Sequence, residues 1–152
     1  MLHATARLVA ALLSGGLFAS TVSSAPDAGL SAGAAWLRWL PDDLPAAGYV
    51  VISNDGSSSQ RLTRASSPDY SSVMLHRSMS GGGIDRMVAT SDIDIAPHGS
   101  LALAPGGYHL MLMKPKHAIK PGDTVVLHLM FASGASLDVV ASVESATATG
   151  HG

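Results

Sequence analysis

The chain has 152 residues, is 47% apolar, contains 16 glycines, 8 prolines and no cysteine, and carries a formal charge of −2 at pH 7. That length and apolar content suit one globular domain with a proper core. The mild acidity and the lack of a basic run exclude a nucleic-acid partner, and the missing cysteines exclude disulfide staples and thiolate metal ligands.

Met1 to Arg7 form a short n-region with Arg7 as its charge, and "LVAALLSGGLFAS" (8–20) follows as an apolar h-region. This run is shorter than the roughly 20 residues of a membrane span, so 1–25 is predicted to be the signal peptide of an exported, periplasmic protein. No other segment is apolar enough to span a bilayer, so stable membrane insertion of the mature protein is not expected. Removing Arg7 with the leader takes the formal charge from −2 to −3. Residues 26–35 are small and flexible in type and are predicted to be a linker. "WLRWLPDDLPAAG" (36–48), punctuated by proline, begins a domain predicted over 36–143.

Short strand-like runs come next, at 48–54, 59–66, 72–78, 84–90, 100–104, 108–113, 123–131 and 136–143. Turn clusters such as "NDGSSS", "SGGG", "PGG" and "SGAS" separate them. No segment after the leader combines helical periodicity with ten residues free of Gly and Pro. The pattern therefore predicts an all-β antiparallel sandwich or barrel. The tail "ESATATGHG" (144–152) is predicted to be disordered.

Carboxylates are scattered in turns, no Gly-x-Ser-x-Gly elbow appears, and "SGGG" lacks the lysine and helix of a phosphate-binding loop, so no catalytic residue is predicted. Histidine and methionine stand out instead. Beyond the leader there are six of each, and Met74, His76, Met79, Met87, His109, Met111 and Met113 fall close together. Read as a strand, "YHLMLM" puts His109, Met111 and Met113 on one face and Tyr108, Leu110 and Leu112 on the other. A methionine in a strand is ordinarily adaptable core filling. Thioethers are also soft ligands that suit Cu(I), and imidazole suits copper in either oxidation state.

His76, ten residues, Met87, twenty-one residues, His109, one residue, Met111: this spacing resembles the signature of the periplasmic copper chaperones of the PCuAC family. The resemblance extends through "AAGYVVISNDG" (46–56), "RLTRASSP" (61–68), "IAPHGSLALAPGGYHLML" (95–112) and "KPGDTVVLHLMF" (120–131). It implies a cupredoxin-like β-sandwich of Greek-key type that binds one Cu(I) through His76, Met87, His109 and Met111. It further implies delivery of copper to cytochrome c oxidase, at the dinuclear copper site of subunit II, or to another copper chaperone, with the protein acting as a monomer.

Other donors have weaker claims. Met79 and Met113 lie near the four as spare or supporting groups, His151 in the tail is a candidate for capturing Cu(II), and His128 and Met130 are expected to point outward opposite Leu127, Leu129 and Phe131. His98 and His117 fall in turns and read as solvated. Trp36, Trp39 and Tyr108 read as packing residues. The alternative to a copper carrier is an exported β-sandwich interaction or adhesion module whose His and Met residues are structural.

Imidazole must be neutral to ligate, so Cu(I) affinity is expected to weaken as pH falls towards about 6 and below. Competition with a Cu(I) chelator across that range tests it, and an affinity flat from about pH 7.5 to 5 would rule out histidine ligation.

Overall fold

In "TVVLHLMF" every second side chain is apolar and large, and Val125, Leu127, Leu129 and Phe131 are buried while Thr124, Val126, His128 and Met130 turn outward. The same two-residue period recurs along the chain and sets the architecture. The computed structural model describes residues 29–151. Its strands are β1 (Leu30–Ala32), β2 (Ala35–Arg38), β3 (Ala46–Asn54), β4 (Gln60–Ser66), β5 (Tyr70–Gly81), β6 (Ile84–Ala89), β7 (Ile93–Ile95), β8 (Gly99–Leu103), β9 (Tyr108–Pro115), β10 (Thr124–Phe131) and β11 (Ser136–Glu144). No helix occurs among the described residues, and the expected leader, 1–25, lies outside them.

One ribbon of strands runs in the order β6-β5-β9-β8-β3-β2-β11-β10-β4-β7, with β1 added beside β3. It curls so that β4 comes against β5 and β7 against β8. The inner faces enclose a core of Leu37, Ile52, Leu62, Leu110, Leu112, Leu127 and Leu129, all fully buried. Each such side chain stabilises the fold by about 1.5–3 kcal/mol relative to exposure. The ends of the ribbon, β6 and β7, do not pair, so the sandwich is not a closed barrel. β3 is the hub: its first half pairs with β2 and β9 and its second half with β1 and β8.

Three expectations need correction. The sheet is mixed, not purely antiparallel, because β2 inserts beside β11 in parallel and β8 meets β9 in parallel at Leu103 and Tyr108. The predicted linker is partly strand: Leu30 is buried and pairs with Asn54, and β2 begins at Ala35. The backbone of these small residues finds hydrogen-bond partners on β3, which composition does not show. The predicted tail is also held, since Arg38 Nε donates to the Ala148 carbonyl at 3.0 Å and the His151 ring meets Ser142 Oγ at 2.9 Å.

Asp69, in the bend between β4 and β5, fastens the site-bearing strands to the rest of the sandwich. Its Oδ2 accepts from the Val126 N–H at 3.1 Å and its Oδ1 from His117 Nε2 at 2.9 Å. Burial pushes the Asp69 carboxyl up, but these hydrogen bonds and the charges of His117 and Lys116 outweigh it and hold the group below 3.8. The bond to Asp69 raises His117 above 6.5. The stability from this pair is therefore complete between those values. It is lost as pH rises through the folded pKa of His117 or falls through that of Asp69. Asp69→Ala leaves a backbone N–H without its acceptor and should cost about 1–3 kcal/mol in urea unfolding at pH 6; an unchanged midpoint there would overturn this role.

Candidate metal centre

Gly82 and Gly83 both have positive φ, 61° and 77°, and form the two-residue loop between the paired residues Gly81 and Ile84. Such a loop matches the strand twist only with φ > 0 at both positions, which glycine adopts without a Cβ clash. The loop fixes the register of the β5–β6 hairpin, so Met87 lies opposite Ser78 and Ala89 opposite His76. A slip of one residue would move Met87 to the other face.

On the other side of β5, His76 lies opposite His109 and Met74 opposite Met111. Cross-strand partners share a face, with Cβ atoms about 4.5–5.5 Å apart. His76, Met87, His109 and Met111 therefore emerge together from three neighbouring strands. His76 is 9% exposed and His109 4% exposed, whereas Met111 is half-buried and Met87 is 63% exposed. The two imidazoles form the floor and the thioethers the rim.

The two ring centroids are 5.8 Å apart with planes inclined at 60°. A metal-ligating nitrogen lies about 2 Å from its ion, which puts each ring centroid about 3 Å from it, so the spacing of the two rings is that of a shared ion. His109 Nδ1 donates to the Gly107 carbonyl at 3.2 Å, leaving the lone pair on Nε2. That Nε2 and both nitrogens of His76 are buried without a hydrogen-bond partner. Each unpartnered buried polar group costs about 1–3 kcal/mol, and a metal ion is a natural acceptor of such lone pairs. Burial pushes the His76 pKa below 6.5 and the neighbouring His109 ring lowers it further, which favours the neutral, ligating form. Among the described residues no cluster of three or more His, Asp and Glu could hold a metal, so a hard, carboxylate-based site has no support there.

A cavity of about 480 Å³ opens over this face, lined by Ser78, Met87, His109 and Met111 and also by Arg38 and Tyr49, while His76 lies outside its lining. The pairings Arg38 with Ala47 and Ala47 with Met111 carry the same face from β9 through β3 to β2. The Arg38 guanidinium lies 5.7 Å from the Trp36 ring centroid and 5.6 Å from that of Tyr49. Burial raises the Tyr49 hydroxyl pKa, and the Arg38 charge offsets part of that. Sequence reasoning misses Arg38 and Tyr49. Their only signal is strand parity, and the proline-punctuated run that holds Arg38 does not read as a strand.

The remaining candidates separate from the four. Met79 pairs with Arg86 on the opposite face of the hairpin, so it is not a spare donor for this cavity. Met113 shares the Met111 face but lies opposite Ser72, farther along the strand from the histidine pair. His128 and Met130 point outward as expected, with His128 Nδ1 2.7 Å from Asp138 Oδ1. His98 is exposed, His117 is bound to Asp69, and His151 rests by Ser142 and Glu144 on β11. Trp36 packs on Tyr49 at 4.5 Å, and Tyr108 lies beneath the Arg77 guanidinium at 5.1 Å.

A family model described as "Putative lipoprotein LpqE-like" matches residues 30–143. "Putative lipoprotein Lxx21020" of Leifsonia xyli subsp. xyli is 32% identical over 117 residues, covering 76% of this chain and 70% of that protein. Among solved structures, the apo PCuAC domain of PmoF2 superposes with a TM-score of 0.66 at 23% identity, over 81% of this chain and 95% of that one. The Cu(I) form of DR1885 from Deinococcus radiodurans gives a TM-score of 0.60 at 28% identity, over 82% and 83%. The fold is thus the cupredoxin-like β fold of PCuAC domains.

The folded pKa of His76 lies below its unfolded value of 6.5, so the unfolded chain takes up the proton first and metal-free stability falls as pH drops below about 6.5. His76→Leu removes two unpartnered nitrogens and should stabilise the metal-free protein by about 1–3 kcal/mol. Urea midpoints at pH 5.5 check this, and a variant less stable than the parent would sink it.

Proposed function

We propose, from the premise that this chain belongs to the PCuAC family of LpqE-like proteins, that it is an exported copper carrier, not an enzyme. One Cu(I) is held by His76, Met87, His109 and Met111. The observation that carries this reading is the buried, unpartnered imidazole nitrogens of His76 and His109, two cross-strand neighbours, with His109 lining the cavity that also takes Met87 and Met111. Two relatives support it: a PCuAC domain from PmoF2 has been solved copper-bound, and DR1885 has been solved in its Cu(I) form. One ion would take a single lone pair from each ring, which accounts for one nitrogen of His76 and for His109 Nε2.

The donor set favours Cu(I) over Cu(II), because thioethers are soft and the site has no anionic ligand. Four neutral ligands leave the site at +1, and the half-open cavity limits the desolvation cost of that charge. The buried imidazoles keep the ion while the rim thioethers, which have no proton to lose, can be exchanged. Thiolate is a stronger ligand for Cu(I), so an acceptor presenting thiolates can draw the ion away. The dinuclear copper site of cytochrome c oxidase subunit II, or a second copper chaperone, suits that requirement. The relatives described as lipoproteins support export, with 1–25 as leader and a periplasmic location.

The purified domain should take up one equivalent of Cu(I) in competition with a chromogenic chelator, and X-ray absorption should show a mixed N/S shell. Replacing His76 and His109 by Ala and Met87 and Met111 by Leu together should abolish uptake. Unchanged uptake, or an all-nitrogen shell, would exclude this site.

A further inference from the structure

The cavity over the candidate metal centre is far larger than one ion needs, and a charged residue lines it together with Met87, His109 and Met111. Arg38 stands there, stacked against Trp36 and Tyr49, with its Nε committed to the Ala148 carbonyl at 3.0 Å. Three contacts hold the guanidinium in place, and its two terminal nitrogens carry the remaining donors of a planar fork. Among the described residues no carboxylate lies within ion-pair distance of it. Glu144 is its cross-strand neighbour, yet Glu144 Oε1 accepts from Ser142 Oγ at 2.8 Å and lies 3.6 Å from His151 Nδ1.

A half-buried cation normally finds a counter-charge, because desolvation without one is costly. Here the residue that could neutralise Arg38 is turned to other partners, and the guanidinium is left pre-positioned beside two thioethers and an imidazole. A rigid fork of this kind recognises a carboxylate with two parallel hydrogen bonds.

We propose that Arg38 is the docking residue for the copper acceptor: it pairs with a carboxylate side chain near the acceptor's thiolates while those thiolates reach the ion over Met87 and Met111. The partner is therefore a polypeptide with acidic residues flanking its cysteines. This rests on the Cu(I)-carrier reading of the same site. In the transfer Cu(I) keeps its oxidation state; its bonds to thioether and imidazole break, bonds to two thiolates form, and the two thiol protons pass to solvent. The Arg38 charge also offsets the negative charge that accumulates as a second thiolate approaches.

The test uses two synthetic Cys-Gly-Gly-Cys peptides, one flanked on each side by two glutamates and the other by two glutamines. Loading of the full chain with Cu(I) is read first by chelator competition. Initial transfer rates follow, read as copper retained on the protein after rapid gel filtration. The Glu-to-Gln rate ratio should be about tenfold higher for wild type than for Arg38→Met at low ionic strength, and should collapse at about 0.5 M salt. Arg38→Lys, which keeps the charge without the stacked fork, should fall between the two. The same ratio in wild type and Arg38→Met, or a wild-type ratio insensitive to salt, overturns the proposal. A protein that takes up no Cu(I) removes both this proposal and the carrier reading; one that loads and transfers with no dependence on Arg38 removes only this one.

Discussion

The cross-strand pairing of His76 with His109 is the constraint on which the rest of the site depends. It places two imidazoles side by side on a face whose neighbours are otherwise small, polar or thioether. It follows from an unbroken register between β5 and β9 that also pairs Leu75 with Leu110 and Val73 with Leu112 on the core side. The packing of those residues holds the register, because a slip of one would expose Leu110 and Leu112 and bury the opposite face. The same hydrophobic contacts that stabilise the sandwich therefore position the donors.

The arrangement grades the donors by burial. His109 has one nitrogen fixed by the Gly107 carbonyl, and His76 has none fixed, so the floor of the site carries unmet polar groups inside a protein whose other polar groups are largely paired. A fold selected for stability alone would put an apolar side chain at position 76. Met87 sits on β6, an edge strand whose six residues are all exposed, where a side chain can move without disturbing the core. Firm inner candidate donors and movable outer ones suit the proposed carrier role.

Much of the geometry of the candidate site is legible in the sequence. The spacing of His76, Met87, His109 and Met111 singles out four residues that the strands do bring to one face, and the alternation in "YHLMLM" correctly separates Leu110 and Leu112 from His109 and Met111. Other points are invisible at that level. Met79 looks like a neighbour of the donors, but only the hairpin register shows that it projects from the far face. Residues 30–35 and 144–151 read as loose because they are small and polar, and their order comes from partners distant in sequence, β3 for the first and Arg38 and Ser142 for the second.

The sequence by itself determined the chemistry and part of the local geometry: which donor types exist, the absence of thiolate, and the side a residue takes within a run that reads as a strand, such as "YHLMLM", all of which follow from side-chain identity and a period of two. Tertiary structure alone decided which strands are neighbours. It set the mixed ribbon order, the insertion of β2 beside β11, and hence the presence of Arg38 and Tyr49 in the same cavity as Met87 and Met111. The physical reason is that long-range strand pairing is chosen by the joint burial of many side chains in one core, a sum over the whole chain that no short stretch contains.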